Sequence, residues 1–548
     1  MVKSYELRSM GESPDSDLTH ADVFGVEQTS TASDRAALNR IGKNPILIRN
    51  FGFLSILGFS STALICWESM AIVMDQGLKN GGPSGVLYGF ILVWLGSLAI
   101  FSSLTELASM APVSSGQYHW VSMMAPANSQ RLCSYIEGWL TVAGWQGLCG
   151  GAAFLSAELL QALVEFTHPA YTPKPYQAMF LIWAIVLLAV FINTQGGTFL
   201  PRFEGLILIL HLLGYFGILI PLIVLSNHQP TSTVFHNFVN GGGWPTQGIS
   251  FMIGLNSAIF VFAGADGSLH MSEEIQNAAV IVPRSVVFSY FYNGLMGLCM
   301  LIALLYSYSD LAVLEDPPQK YSFIEIFYQV THSEAGTAVM VSLLLIMQFC
   351  ATISVQTSAS RMLWSFSRDM GVPGWRTLRR LDRRTTLPVY CIALTATVTC
   401  LLSLICLGSS VALEDVLSIS VAGLYASYLV ALAFLLYRRC TGGIKHQTDG
   451  SNLANTGGAQ LVWGPWHLPG AFGITVNAFA CVYLITAWMF TFWPTELPAT
   501  AENMNYSSLI LGAVVLFSIV YYYVRGRREY KGPVVEEIQN RKVARGTA

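Results

Sequence analysis

Two short glycine-containing stretches carry the residue types best suited to hold a small polar molecule inside a membrane. Residues 58–61 read Gly-Phe-Ser-Ser and residues 264–267 read Gly-Ala-Asp-Gly, and each stretch lies within an apolar run long enough to cross a bilayer. Glycine in a helix interior costs about 1 kcal/mol, and a broken helix at membrane depth persists only where it lines a cavity or holds a ligand. Two such breaks at matching points of two halves are typical of a secondary transporter, whereas ordinary small-residue packing is the alternative.

The two breaks offer complementary binding groups. Free N–H groups at an interrupted helix, together with the hydroxyls of Ser60 and Ser61, suit a substrate carboxylate. Asp266 has two roles of equal weight, which are contact with a substrate amine and attachment of the unwound segment to a neighbouring helix. Aromatic side chains near the breaks suit an ammonium group, although aromatic residues at such spacing are more often simple packing. The predicted substrate-binding residues are Gly58, Phe59, Ser60, Ser61, Trp67, Trp145, Gln146, Phe260, Phe262, Gly264, Asp266 and Gln348.

His211 is the predicted proton-coupling residue. It lies in the middle of the fifth apolar run, within the sequence ILILHLLGYF, and imidazole is the side chain that titrates nearest neutral pH. A structural histidine, hydrogen-bonded to a neighbouring helix, is an alternative of equal weight. Coupling to sodium stays open as well, because the adjacent hydroxyls of Thr357 and Ser358 are able to ligate that ion together with carbonyls of the first break.

Four charged residues are predicted to act in gates. Glu68 follows the first break by about two turns, where it would attract an ammonium group or hold an outer gate. Arg49 before the first span and Asp369 after the eighth are predicted to close an inner gate as an ion pair, and Glu273 with Arg284 flanks the end of the sixth span. Exposed pairs of this kind are worth less than about 1 kcal/mol, which suits a latch that opens in every cycle.

The composition predicts an all-α polytopic membrane protein. The 548 residues are 53% hydrophobic and 11% charged, with a mean hydropathy of +0.51, whereas soluble domains carry about 25% charged residues. The predicted domains are a disordered cytosolic N-terminal tail over residues 1–45, a transporter domain over 46–525 and a cytosolic C-terminal tail over 526–548. Twelve transmembrane helices are predicted near 51–74, 85–108, 135–165, 176–195, 204–225, 249–276, 284–308, 336–366, 388–407, 414–437, 470–493 and 507–525.

The distribution of basic residues predicts the orientation of these spans. Of the 29 Lys and Arg residues, 26 fall on the side of the two termini, and the other side holds Lys79, Lys174 and Lys320. The positive-inside rule therefore places both termini in the cytosol. The plasma membrane is the predicted location, with a vacuolar or other internal membrane left open. Asn505 begins an outer Asn-X-Ser sequon, but it abuts the last span, so glycosylation there is weakly predicted.

No sequence motif points to an enzyme, a cofactor or a metal. The ten cysteines are scattered, mostly within apolar runs, and show no paired spacing, so neither a disulfide framework nor a metal site is indicated. No nucleophile–base arrangement or phosphate-binding loop is found, and nothing in the charge pattern suggests a nucleic-acid partner. The expected partners are a small-molecule substrate, a co-transported proton and the lipid bilayer, and the oligomeric state is not predicted.

Three further stretches resemble a known family. Residues 106–120, ELASMAPVSSGQYHW, are similar to the motif after the second helix of permeases in the amino acid–polyamine–organocation superfamily. Residues 262–274, FAGADGSLHMSEE, resemble the fungal amino acid/choline transporter branch, which includes GABA and choline permeases, and residues 366–373 resemble the signature after its eighth helix. One departure is Ser115-Gly116, where the family usually has two glycines.

The resemblance implies a fold and a location for the site. The fold would be a LeuT-like five-plus-five inverted repeat followed by two C-terminal helices, with substrate held between helices one, three, six, eight and ten. His211 would lie in the helix where proton-driven relatives place a basic group instead of a bound sodium. The resemblance leaves the substrate open among GABA, choline, polyamines and neutral amino acids.

These observations together predict a proton-coupled secondary active transporter of a small amine-bearing solute that works by alternating access. An exporter or compartmental carrier of a nitrogen-containing metabolite from a biosynthetic pathway is the second prediction, because residue types do not fix the direction of transport. A nutrient sensor that binds without transport is the third. Its usual mark is a long folded cytosolic extension, and the tails here are short and polar.

Overall fold

The computed structural model describes residues 30–195, 200–308, 321–382, 384–407, 412–446, 453–500 and 503–535. Within this part of the chain almost all regular structure is helical, and ten helices are long and apolar enough to cross a membrane. The prediction of an all-α polytopic membrane protein is therefore confirmed, while the exact number of twelve spans stays a prediction. Two short strands, β1 (Ile444–Lys445) and β2 (Leu461–Val462), pair in parallel outside these helices.

The helices are numbered in chain order. They are α1 (Ala32–Arg40), α2 (Phe53–Leu64), α3 (Cys66–Met110), α4 (Gln117–Met124), α5 (Gln130–Thr167), α6 (Pro175–Gln195), α7 (Leu200–Leu225), α8 (Thr231–His236), α9 (Gln247–Val261), α10 (Gly267–His270), α11 (Ala278–Ser307), α12 (Ser322–Thr331), α13 (Glu334–Arg368), α14 (Trp375–Leu378), α15 (Val389–Leu402), α16 (Ala412–Cys440), α17 (Gly470–Phe490), α18 (Ser507–Tyr521) and α19 (Arg527–Glu529). Short 3₁₀ turns cover Ser272–Glu274 and Ser403–Leu407, and a π turn covers Tyr522–Gly526.

Helix α3 contains a chain reversal at Gly82, so it holds the last part of the first predicted span and the whole of the second. Gly82 has a φ of +65°, and a Cβ placed on Gly77 would lie 2.9 Å from Cγ2 of Val86. Residues nine apart in a straight helix are separated by about 13 Å, so the chain must fold back between them. An ion pair between Lys79 and Glu496 lies near this turn, and the hydrogen bond from the Lys79 ammonium lowers the pKa of the Glu496 carboxyl.

The first helix break lies at Ile65, one turn later than predicted. Ile65 adopts left-handed dihedral angles (φ 33°, ψ 55°) between α2 and α3, which is unusual for a β-branched residue. The prediction of a break at residues 58–61 is wrong, because that stretch is continuous helix. The hydroxyls of Ser60 and Ser61 donate to carbonyls four residues earlier, at 2.8 and 2.6 Å, so these serines bond within the helix instead of opening it.

The second break lies where the sequence predicted it. Helix α9 ends at Val261 and α10 begins at Gly267. Gly264 between them has a φ of +88°, a conformation that glycine adopts without steric cost. The two breaks therefore interrupt the first and sixth predicted spans.

The N-terminal tail is partly folded. The prediction of disorder over residues 1–45 is wrong for Ala32–Arg40, which form α1, and residues 1–29 lie outside the described part of the chain. The low hydrophobicity of the segment concealed a capping box, in which the Thr31 hydroxyl accepts from the Asp34 N–H and the Asp34 carboxylate accepts from the Thr31 N–H. Such a box stabilises the start of a helix that has little apolar surface.

Helix α1 is attached to the start of α11. The Asp34 carboxylate accepts hydrogen bonds from the backbone N–H groups of Asn277 and Ala278, at 2.9 and 3.2 Å. A carboxylate at a helix N-terminus is stabilised by the free N–H groups and by the helix dipole. The C-terminal segment is also ordered as far as residue 535, and Tyr530 within it is fully buried. The last 13 residues of the predicted C-terminal tail, 536–548, lie outside the described residues.

The outer helices present apolar side chains to their surroundings. Leu187 of α6 is 66% exposed, and Leu213 and Val224 of α7 are 67% and 70% exposed. In water such a surface would be unfavourable, but lipid chains solvate it. The polar and ionisable groups are instead concentrated in the interior, where α2, α5, α10, α13 and α16 meet.

Candidate substrate and ion site

The two breaks are held against each other in the interior of the bundle. Ser60 Oγ of α2 lies 2.6 Å from Ser268 Oγ of α10, and both side chains are fully buried. A Cβ on Gly267 would lie 2.6 Å from Ser358 Oγ of α13 and 3.1 Å from the indole of Trp145. The second break is therefore packed closely against side chains of α2, α5 and α13.

Asp266 is the centre of this contact region. Its Oδ1 accepts a hydrogen bond from Tyr428 of α16 at 2.5 Å. Its Oδ2 accepts from Gln117 Nε2 of α4 at 2.7 Å and from Trp145 Nε1 of α5 at 3.3 Å, and it lies 3.4 Å from Nε2 of His270. Of the two roles weighed for Asp266, this geometry favours attachment of the unwound segment, since both carboxylate oxygens already have partners.

His211 is bonded to Glu68, which lies three residues after the first break. His211 Nδ1 and Glu68 Oε1 are 2.7 Å apart, and both side chains are buried. The Trp67 indole covers the pair, with its ring centroid 5.9 Å from that of the imidazole. The structure thus joins His211, which was predicted to couple protons, to Glu68, which was predicted to act in a gate. A histidine bonded to a neighbouring helix was the alternative considered for His211.

The predicted aromatic residues divide into two groups. Phe262 lies at the second break, where its ring packs 5.2 Å from that of Phe90 and its carbonyl accepts from the Tyr290 hydroxyl at 2.8 Å. Phe59 instead packs on Phe51 before the start of α2, with 6.2 Å between ring centroids. Phe260 is half-buried and packs against the core beside the break. Trp67 and Phe262 therefore lie beside the breaks in sequence, and Trp145 contacts the second break through Asp266 and Gly267.

The two predicted glutamine contacts bond elsewhere. Gln146 donates to Thr395 of α15 at 3.1 Å, and Gln348 donates to the Ala152 carbonyl of α5 at 3.3 Å. The first amide therefore joins α5 to α15, and the second joins α13 to α5. The structure does not bring their nitrogen atoms to either unwound segment.

The hydroxyls considered for sodium are also engaged. Thr357 donates to Asn193 of α6 and to the Ile353 carbonyl. Ser358 donates to the Ser354 carbonyl at 3.2 Å and lies beside α10. Sodium coupling through these hydroxyls and carbonyls of the first break stays a prediction. Among the described residues, no group of three or more His, Cys, Asp or Glu side chains is arranged to hold a metal ion.

The inner-gate residues have partners other than the predicted ones. Arg49, which is 1% exposed, lies 3.3 Å from Asp34 of α1 and donates to the carbonyls of Ser272 and Ile275. The predicted Arg49–Asp369 pair is therefore wrong in its partners. The sequence predicts disorder over α1, and for that reason it does not identify Asp34 as the partner of Arg49.

Asp369 instead gathers three other segments at the end of α13. It accepts a hydrogen bond from the Tyr118 hydroxyl at 2.7 Å and from the backbone N–H of Val534 at 3.0 Å, and it lies 3.7 Å from Lys43 Nζ. Tyr118 belongs to α4, Lys43 follows α1, and Val534 belongs to the C-terminal segment. The segment after α1 and the segment after α19 therefore meet at this carboxylate.

Glu273 forms an ion pair, as the predicted gate role requires. Arg368 of α13 donates to its two carboxylate oxygens at 2.8 and 2.9 Å. The neighbouring Glu274 is bonded to Arg361 at 2.9 Å. Arg284, which the sequence suggested as the cationic partner, is exposed on α11. The sixth span is thus tied to the eighth at this end, and not to the seventh.

Asn505 has a structural role at the start of α18. Its amide nitrogen donates to the carbonyls of Thr491 and Trp493 at 2.8 and 3.3 Å, and its Oδ1 accepts from the Ser507 N–H at 3.0 Å. A glycan is attached to that same amide nitrogen, so these bonds oppose the glycosylation that the sequon suggested.

Several residues of the site were not predicted. Gln117, His270 and Tyr428 surround Asp266, but nothing in their local sequence marks them as its partners. Glu204 is different, because an acidic residue inside a predicted span is a signal in its own right. It lies one turn into α7, is fully buried, and accepts a hydrogen bond from Ser354 at 2.9 Å.

The fold and this site define a class: a polytopic membrane permease with two interrupted helices packed at its centre. The chain matches the family model described as amino acid permease over residues 51–516. It belongs to that family, and the predicted membership in the fungal branch of the amino acid–polyamine–organocation superfamily is confirmed. The protein is accordingly a membrane transporter.

Relatives cover nearly the whole chain. A protein of Macrophomina phaseolina that is named for amino acid/polyamine transport is 29% identical over 83% of this chain and 97% of its own length. The choline transporter of Saccharomyces cerevisiae is 27% identical over 90% of this chain and 84% of its own length. Amino-acid permease 2 of Neurospora crassa is 25% identical over 92% of this chain and 90% of its own length.

Proposed function

We propose that the protein is a proton-coupled secondary active transporter that moves a small amine-bearing solute by alternating access. The observation that carries this proposal is the buried contact between the two interrupted helices, where Ser60 and Ser268 lie 2.6 Å apart. Interrupted helices leave backbone N–H and C=O groups free for a ligand in an environment without water. The solute would bind between these two segments, α5, α13 and α16.

The expected solute carries an ammonium or quaternary ammonium group and is small. Carbonyls left free at a helix break, together with the faces of Trp67 and Phe262, attract such a cation. The N–H groups at the start of α3 and α10 attract a carboxylate, if the solute has one. The relatives named for choline, for polyamines and for amino acids fit this description, so an amino acid, GABA or a choline-like compound is the proposed substrate.

Alternating access requires that one end of the site opens while the other closes. At the end that holds α1, Arg49 and Arg368 attach the start of α2 and the end of α13 to the segment after α10, and these contacts support a closed gate there. The basic residues predict that this end faces the cytosol. Opening toward the cytosol would break the Arg368–Glu273 ion pair and the hydrogen bond from Arg49 to the Ser272 carbonyl. These groups are buried, so water that enters the opening would have to solvate them.

An uptake panel tests the proposal directly. The purified protein in lipid vesicles should accumulate at least one labelled compound among GABA, choline, neutral amino acids and polyamines when a pH gradient is applied in the favourable direction. Reversing the gradient tests export, and replacing sodium by another monovalent cation should leave the rate unchanged. Protein-free vesicles are the control. Saturable binding without uptake would indicate a sensor and contradict the proposal.

Replacing His211 with alanine is expected to shift the pH profile of uptake. The substitution deletes the partner of Glu68, which lies 2.7 Å away, and with it a titratable group beside the first break. Uptake rates measured from pH 5 to pH 8 check this. His228, which is exposed and bonds to Ser226, is the matched control, and H228A should keep the normal profile. An H211A profile that matches the unmodified protein would remove His211 from coupling.

A further inference from the structure

Glu204 is a buried carboxyl group that the roles assigned so far do not use. It is fully buried at the α2–α7 interface, and its Oε1 accepts a hydrogen bond from Ser354 of α13 at 2.9 Å. Its Oε2 has no hydrogen-bond partner among the described residues. The backbone of α2 covers it closely, since a Cβ on Gly58 would lie 2.5 Å from the Glu204 carbonyl oxygen and 3.6 Å from its Cβ.

No cationic side chain neutralises this carboxyl in the described part of the chain. Arg202 is two residues earlier in α7 and is exposed on another face of the helix, and the undescribed residues 196–199 contain no basic residue. Helix α2 has no titratable side chain. The titratable groups on the surrounding helices are Cys350 of α13, Tyr292 of α11, whose hydroxyl contacts Ser61, and the pair formed by His211 of α7 and Glu68 of α3.

An apolar cluster separates Glu204 from the Glu68–His211 pair. Its members are Ile65, Ile207, Met347, Cys350 and Ala351. His211 is seven residues after Glu204, so both face the same side of α7 with about 10 Å of helix between them. The imidazole therefore does not act as a direct counterion for Glu204.

The two candidate proton carriers, the His211–Glu68 pair and Glu204, differ in whether the charged form has a partner. His211 and Glu68 form a pair that can stay neutral overall, because a proton is shared between acid and base in a fixed geometry. An ionised Glu204 would be a single negative charge in an apolar interior, which is strongly unfavourable. A protonated Glu204 has no such penalty while α2 covers it.

We propose that Glu204 carries the coupling proton. This inference rests on the proposed proton-coupled transport and assigns its ion to one atom. The proton occupies the Glu204 carboxyl, at Oε2, while α2 is packed on α7. When α2 moves so that Gly58 no longer contacts α7, water reaches the Glu204 carboxyl group. The proton then leaves to that water as hydronium. The carboxylate must take up a proton again, from water on the other side of the membrane, before α2 repacks over it, because the packed state buries Glu204 and disfavours its charged form. Transfer of the proton is therefore coupled to the movement of the helix.

The test measures proton movement together with solute uptake in vesicles that contain a pH-sensitive dye, with the solute found by the uptake panel. E204Q should reduce substrate-driven proton movement to the level of protein-free vesicles, while exchange of internal for external solute continues, since glutamine imitates the protonated state. E204D keeps an acid at this position and should retain proton movement.

Glu137 of α5 provides the matched control. It is 1% exposed and neither of its carboxyl oxygens has a hydrogen-bond partner in the described residues, so it matches Glu204 in burial. It differs in its neighbours, because its carbonyl accepts from Thr141, which contacts Ser427 of α16, whereas Glu204 lies under α2. If movement of α2 controls the proton, E137Q should move protons normally. Proton movement that persists in E204Q, or that is lost in E137Q instead, would overturn the assignment.

A second variant keeps the test decisive if E204Q does not fold. S354A removes the hydroxyl that donates to Glu204, so the pH midpoint of uptake should move to higher pH because the charged form loses its donor. An unchanged midpoint would count against Glu204. If the unmodified protein takes up solute without moving protons, proton coupling itself is wrong, whereas proton movement in both the unmodified protein and E204Q refutes this inference alone.

Discussion

Replacing Asp266 with asparagine is expected to lower solute uptake by about tenfold to a hundredfold. Asparagine keeps one oxygen but presents an NH2 group where Asp266 now accepts bonds from Tyr428 on one side or from Gln117 and Trp145 on the other. At least one of these donors then faces another donor. Hydrogen bonds to charged groups are worth about 1.5–3 kcal/mol each, and each 1.4 kcal/mol is about a factor of ten. Initial rates of uptake in vesicles measure the loss.

The controls separate a structural role of Asp266 from direct contact with the solute. D382N changes a partly exposed carboxylate that bonds to Thr385 within its own loop, and it should leave uptake unchanged. Y428F removes the shortest bond to Asp266 without changing the charge. If Asp266 attaches the unwound segment, Y428F should lose activity in the same direction as D266N. Normal uptake by D266N, or a loss confined to D266N, would contradict this role.

Replacing Gly264 with leucine should abolish uptake while the protein still reaches the membrane. Gly264 has a φ of +88°, which costs an L-residue about 1–2 kcal/mol. A Cβ there would also lie 2.5 Å from Cδ2 of Leu148, so the larger side chain must displace α5 or close the break. Because the break is the proposed binding segment, even a small displacement removes its geometry.

Gly512 of α18 is the matched control for this substitution. A Cβ placed on Gly512 meets no atom within 4 Å, and α18 presents apolar residues such as Leu516 to its surroundings. G512L should therefore retain uptake and membrane insertion. Equal loss of uptake in both variants would show that the effect of G264L is not specific to the break.

Much of the fold was predictable because it depends on local properties of the sequence. Apolar runs of suitable length identified the spans, and Gly264 identified the second break because only glycine adopts its dihedral angles cheaply. Gly58 gave the wrong position for the first break, since a glycine in a membrane helix serves equally well for close packing, here against Glu204. The true break at Ile65 has no glycine, so composition gave no signal for it.

The partners of charged residues were less predictable than the residues themselves. Asp266, His211 and Glu68 were singled out because ionisable groups in a membrane need a reason, and Asp369 because it follows the eighth span. Their partners come from helices that are distant in the sequence, such as Tyr428, which is 162 residues from Asp266. Sequence spacing within one helix contains no information about such contacts. The folding of α1, which supplies Asp34 to Arg49, was likewise hidden by its polar composition.

Because Ile65 interrupts the helix, α2 can tilt about this residue independently of α3. Its 12 residues extend about 18 Å from that pivot. A tilt of about 15° would move the N-terminal end of α2 by about 5 Å. It would move Gly58 by nearly 3 Å, which is about the diameter of a water molecule. Such a rotation would let water reach the Glu204 carboxyl group and would widen the passage at the N-terminal end of α2. Movement of the solute and of the proton would then depend on the same helix.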